Sequence, residues 1–170
     1  MSATPMSATP GLDRLNGAPA DEAIRLLGDV CASRAWIGAL LAARPYADAD
    51  AVYAGSDRAI AALTADDLRE AIDGHAVIGR PRHDDPQSAR EQAGVHRAGD
   101  AVSAGLRDGN IAYERRFGRV FLICASGRGA AELLAELRHR LDNDPASEWE
   151  VTREELRRIN RLRLEGLISA

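Results

Sequence analysis

Apolar residues recur at spacings of three and four along most of the chain, the period of a helix with one buried face. Ile24, Leu27 and Val30 mark a helix over 21–30, with Pro19 placed to occupy its first turn. Trp36, Leu40 and Leu41 mark another over 33–43, ended before Pro45, and an alanine-rich segment follows at 48–63. Thr64 predicts the cap of a helix over 65–73, with Asp67 completing a weaker capping box and Gly74 as its C-terminal glycine. Further helices are expected over 88–107, 110–117, 130–143 and 152–168, the last opened by a Thr152/Glu155 capping box.

Two stretches break the period. Residues 75–87 contain Gly79, Pro81 and Pro86 together with His75, Arg80, Arg82 and His83, which predicts a polar loop. Val120–Ala125 is a short apolar run between Gly118 and Gly127. It fits a strand or a buried helical turn, and a lone strand makes no sheet, so buried irregular or short helical structure is expected. The N-terminus repeats MSATP, which predicts a disordered tail over 1–11 ahead of a helical domain over 12–170. The fold class read from this pattern is all-α, a single-domain bundle of seven or eight helices.

Composition narrows the chemistry. A chain of 170 residues suits one domain with a proper core. Its net charge of −4 disfavours nucleic acid as a partner. All 22 basic residues are arginine, so no lysine Schiff base and no pyridoxal phosphate aldimine can form. Cys31 and Cys124 form no CxxC pair, and reduced thiols fit a cytoplasmic protein. No apolar run has the length of a membrane span and no signal-peptide pattern is present, so no membrane partner is expected.

Three residues stand out for chemistry. In Ser88-Ala-Arg-Glu-Gln-Ala-Gly94, Glu91 heads the face continued by Val95, Ala98 and Val102 if one helix runs through them. A carboxylate on a core-facing stripe is costly unless it is paired or hydrogen-bonded. Ser88 and Glu91 equally fit an S-x-x-E capping box, which would bend the carboxylate back onto the helix start. Arg163 falls in the apolar stripe of Leu156, Ile159 and Leu167, either as a snorkelling or internally paired arginine or as a fixed cation for an anionic ligand. His75 follows Gly74 at a helix end, where the dipole alone would account for a histidine. His83, His96 and His139 lack ligand-like spacing, and no metal motif or phosphate-binding glycine loop is present.

Four blocks taken together resemble a known family. They are His75-Ala-Val-Ile-Gly79, Ser88–Gly94, Asn110-Ile-Ala-Tyr-Glu-Arg-Arg-Phe-Gly118 with Val120–Arg128, and Ile159-Asn-Arg-Leu-Arg-Leu164. In order and spacing they resemble the signatures of 2-oxo-4-hydroxy-4-carboxy-5-ureidoimidazoline (OHCU) decarboxylase, an enzyme of urate breakdown. The resemblance implies an all-α homodimer with no metal or organic cofactor and a small-molecule substrate, converted to (S)-allantoin with loss of CO2. It places the catalytic pair on His75 and Glu91. It places substrate contacts on Ala76, Ser88, Gln92, the backbone of Phe121, Leu122 and Ile123, and Arg163.

The pattern departs from the family at Ala76, where proline is expected after the histidine. Proline fixes its own φ and restricts the residue before it, so alanine leaves His75 less constrained. The tryptophan often found just before the Ser88 position is also absent, since Pro86-Gln87 stands there. The alternative reading is therefore a helical binding protein of the same fold, recognising a ureido or purine-derived ligand with weak or altered activity.

Overall fold

The computed structural model describes residues 9–80 and 84–170. Pro81, Arg82 and His83 of the expected loop, residues 1–8 of the expected tail and the side chains of His96 and Arg97 lie outside the described residues. The described chain is all-α, as the apolar period predicts. Its helices are α1 (Pro10–Gly17), α2 (Ala20–Val30), α3 (Arg34–Ala42), α4 (Ala49–Ala61), α5 (Ala65–Asp73), α6 (Pro86–Glu91), α7 (Asp100–Phe117), α8 (Ala130–Arg140) and α9 (Pro145–Ser169). Among the described residues only α6 is shorter than seven residues, which leaves eight longer helices. The chain forms two compact units, one containing residues up to Leu63 with Asn160–Ala170, the other Thr64–Ile159.

Local chemistry explains the helix starts. Ser33, Asp48 and Thr64 cap α3, α4 and α5 through side-chain oxygens that accept backbone N–H groups. The Thr64/Asp67 capping box is present in both directions. Gly74 does end α5, but with right-handed φ/ψ rather than the left-handed turn expected of a C-terminal glycine.

Three expected boundaries are corrected. The helix read over 88–107 and the piece over 110–117 are divided differently: α6 ends at Glu91, a 3-10 turn covers Ala93–Arg97, and α7 runs unbroken from Asp100 to Phe117. The break falls where Ala98 and Gly99 are extended, with ψ of 138° and 163°. Glu91 therefore shares no continuous helix with Val102. Asp85, not Ser88, caps α6, accepting from the N–H groups of Gln87 and Ser88, so the Ser88/Glu91 capping box does not open this helix. Thr152 is likewise interior to α9, its hydroxyl donating to the Glu148 carbonyl at 2.8 Å, so it caps nothing.

The first unit buries Trp36, Leu15, Leu27, Leu40 and Ile60. Trp36 meets the polar requirement of its indole by donating to Ser56 Oγ at 3.1 Å. In the second unit, Tyr113, Phe121, Ile123, Leu133 and Leu137 form the core. Tyr113 packs edge-on against Phe121 at 5.2 Å between ring centroids.

Val120–Ala125 is neither helix nor strand, as expected for an apolar run without a partner. Two of its backbone groups are met by side chains instead. Arg140 Nη1 donates to the Leu122 carbonyl at 2.8 Å, and the Cys124 N–H donates to Glu155 Oε2 at 2.9 Å. Arg140 and Glu148 are both completely buried. They pair at 2.6 Å through Nη2 and at 2.8 Å through Nε. Tyr113 Oη and Asn143 Nδ2 donate to the same carboxylate.

Removing one member of such a pair strands a buried charge, which costs about 3–5 kcal/mol. Glu148→Ala is accordingly expected to lower urea stability by that amount and to shift the midpoint without moving the slope. A loss under 1 kcal/mol would show that the pair does not hold the unit together.

Burial pushes all three tyrosine hydroxyls above the ordinary value, with Glu148 adding to the effect at Tyr113 and Glu165 at Tyr53. A raised folded-state pKa favours the neutral phenol, so this stability is present below about pH 10 and lost as pH rises further. Absorbance titration of the folded protein should detect no tyrosine ionising at or below the ordinary phenol range of about pH 10, with alkaline unfolding accompanying ionisation.

Candidate active site

His75 sits directly after α5, held there from two sides of the residue. Its N–H donates to the Ile72 carbonyl at 2.9 Å, and its ring Nδ1 lies 2.7 Å from the Ala71 carbonyl oxygen. A carbonyl can only accept, so Nδ1 carries the hydrogen. In the neutral ring the lone pair is then at Nε2, which is shielded from solvent. The helix end that explains the histidine structurally also sets its tautomer.

The turn after His75 is clamped by two amide side chains. Gln92, 4% exposed, accepts from the Gly79 N–H at 2.8 Å through Oε1 and donates to the Val77 carbonyl at 3.3 Å through Nε2. Asn110 on α7 donates to the Ile78 carbonyl at 3.1 Å. Gly79 has φ of +89°, a conformation that favours glycine, so the turn and the clamp depend on one another. A cavity of about 320 Å³ beside the clamp is lined by Ile78, Gly79, Gln92, Arg107, Asn110 and Glu114, among others. His75, Ser88 and Glu91 are not among its lining residues.

The structure gives the remaining expected residues distinct places. Ser88 is buried and its hydroxyl donates to the Asp85 carbonyl at 2.9 Å. Glu91 is half-buried at the end of α6. Its charge reaches Cys124: burial pushes that thiol up, a backbone hydrogen bond from Ser126 lowers it, and the carboxylates of Glu155 and Glu91 raise it again. Phe121, Leu122 and Ile123, in the segment that carries Cys124, have buried side chains. Ala76 is half-buried beside His75. Arg163 belongs to the other unit, where it is 9% exposed and donates to the Val30 carbonyl at 3.3 Å, at the end of α2.

The sequence reading missed Asn110 as a holder of the His75 turn, and it missed Arg140 and Glu155 as holders of the 120–125 segment. Asn110 offered one signal, a polar residue three before Tyr113 on the buried face of α7. Gly94, the last residue of the Ser88–Gly94 block, has a steric reason to be glycine. An added Cβ there would overlap the Arg128 carbonyl oxygen, so the 127–129 loop rests directly on this backbone. Gly94→Ala is expected to cost about 1–3 kcal/mol, the usual penalty of overpacking, as read by thermal or urea unfolding. Unchanged stability would mean that the loop yields without cost.

Among the described residues no cluster of three or more His, Cys, Asp or Glu could hold a metal ion. The second unit thus holds an imidazole tied to the end of α5, the half-buried Glu91 at the end of α6 and a turn clamped by Gln92 and Asn110. The family model of OHCU decarboxylase matches residues 16–165, and the chain belongs to that family.

Among its relatives, the uric acid degradation bifunctional protein TTL of Arabidopsis thaliana is 30% identical over 146 residues, 82% of this chain and 45% of the relative. The 2-oxo-4-hydroxy-4-carboxy-5-ureidoimidazoline decarboxylase of Amia calva is 42% identical over 71 residues, 42% of this chain and 39% of the relative. The matches span less than half the length of these curated relatives. A crystal structure of OHCU decarboxylase in the presence of (S)-allantoin matches with a TM-score of 0.73 at 27% identity, covering 90% of this chain and 100% of that one. A crystal structure of (S)-allantoin synthase shares the fold, with a TM-score of 0.71 at 21% identity over 92% of this chain and 54% of that one.

Proposed function

We propose that this chain decarboxylates 2-oxo-4-hydroxy-4-carboxy-5-ureidoimidazoline to (S)-allantoin, with His75 as the proton-transfer residue. The observation that carries the reading is the hydrogen bond from His75 Nδ1 to the Ala71 carbonyl, which leaves Nε2 as the reactive nitrogen. Family membership supplies the substrate.

The reaction balances with the groups proposed. The C–C bond to the carboxylate breaks, CO2 leaves, and the electron pair moves through the ring into the adjacent C=N, whose nitrogen takes a proton from water. His75 Nε2 accepts the proton of the 4-hydroxyl, which becomes the ring carbonyl. The imidazolium then returns a proton to the ureido-bearing carbon from one face, and this sets the S configuration. Glu91 orients the imidazole or a substrate N–H. Arg163 and the backbone of Phe121–Ile123 bind the anionic substrate and steady the charge left by CO2. Ser88, Gln92 and Ala76 complete the contacts. No lysine enters, in keeping with a chain that has none.

The homodimer implied by the resemblance and a cytoplasmic location belong to this reading. Buried thiols at Cys31 and Cys124 support a reducing compartment. Among the described residues no helix is long and apolar enough to cross a membrane.

Freshly generated substrate decays spontaneously to racemic allantoin, so the enantiomer formed is the decisive measurement. Circular dichroism should report net (S)-allantoin with the intact protein, and His75→Ala should lower kcat by about 10²–10⁴-fold, the usual worth of a general acid–base group. Racemic product at the buffer rate would overturn the proposal.

A further inference from the structure

We infer that Asn110 is a positioning residue for His75, and that with Gln92 it supplies the rigidity that a proline at position 76 would otherwise give. The inference rests on the reading of His75 as the proton-transfer residue. It starts from an asymmetry in how the histidine is held. On the α5 side the residue is tied by its own N–H and by its ring. On the other side, Ala76 leaves φ free, and among the described residues its N–H donates to no backbone acceptor.

Order resumes one residue later, where three successive backbone groups are gripped: Val77 O by Gln92, Ile78 O by Asn110 and Gly79 N–H by Gln92. Both gripping side chains are buried, at 4% and 7% exposure, so water competes little for these bonds. Ile78 itself is anchored in the core with Leu106 and Tyr113, on the same helix as Asn110. The clamp therefore ties the segment leaving His75 to α7.

Asn110 spends only one end of its amide on this task. Nδ2 donates to Ile78 O, while Oδ1 is buried with no hydrogen-bond partner among the described residues, and Asn110 lines the 320 Å³ cavity. The bond to Ile78 is what this amide is placed to make, and an isosteric carboxylate cannot make it.

The test is Asn110→Asp, alone and with Ala76→Pro. Asn110→Asp removes the donor and keeps the shape. It should lower kcat roughly 10-fold or more, as expected for a misplaced catalytic group, with KM changed less than about threefold. Ala76→Pro in that background should restore several-fold of the loss, because it limits φ at 76 and the conformation of His75. Proline should raise kcat more in the variant than in the parent chain.

Amide hydrogen exchange at Gly79 supplies a readout independent of turnover: it should quicken in Asn110→Asp and slow again with proline. Parental kcat in Asn110→Asp, a loss no larger than the unfolded fraction, or no recovery with proline would overturn the inference. If the parent chain turns over no substrate, the function reading fails, and unchanged Gly79 exchange in Asn110→Asp then rejects the clamp separately.

Discussion

A stretch of irregular backbone buried in a core has to find its hydrogen bonds outside helix and sheet, and the second unit is organised around that requirement. The 120–125 segment runs through the core with Phe121, Leu122 and Ile123 all buried. Its polar groups are met from α8 by Arg140 and from α9 by Glu155. Bringing a guanidinium into the core creates a second requirement, because a buried charge must be paired. Glu148 pairs it, and the spare capacity of that carboxylate is filled by Tyr113 and Asn143. One unpaired stretch of backbone thus dictates a chain of buried polar residues on three helices.

The same solution recurs at the other irregular segment, with a difference in chemistry. The 77–79 turn is held by neutral amides, Gln92 and Asn110, whereas the 120–125 segment is held by charged side chains. An amide can donate and accept at once, which suits a turn that offers a carbonyl and an N–H two residues apart, as Gln92 shows. It also adds no net charge next to an imidazole whose protonation state matters. Loops held from helices in this way combine an irregular backbone with fixed coordinates, which an acid–base site needs.

Helix type and most helix positions were legible in the sequence because the apolar period is strong in α2 to α5 and in α8. The errors share one cause. Where buried polar residues interrupt the apolar stripe, the period no longer marks the boundary. Glu148 and Thr152 are completely buried, so α9 begins at Pro145 rather than at the apparent cap of Thr152. The break after Glu91 was hidden for the opposite reason: Val95, Ala98 and Val102 pack against one core although they occupy a 3-10 turn, an extended residue and α7. A common destination imitated a common helix. Residues of the candidate site were singled out by their place on helix faces and ends and by motif resemblance, whereas Asn110, Arg140 and Glu155 act on backbone atoms distant in sequence, which no local pattern encodes.

Under the proposed function, the structural and the chemical reading of His75 meet in one contact. The sequence permits a histidine that merely answers the negative end of a helix dipole. In the structure that answer is specific, a bond from Nδ1 to the Ala71 carbonyl. The bond selects the tautomer with its lone pair at Nε2, as a proton acceptor requires. Once Nε2 accepts a proton, the bond becomes charge-assisted and the carbonyl end of α5 faces an imidazolium. A feature that would suffice to explain the residue as a cap is also what a proton shuttle needs, so the two readings of His75 describe one interaction.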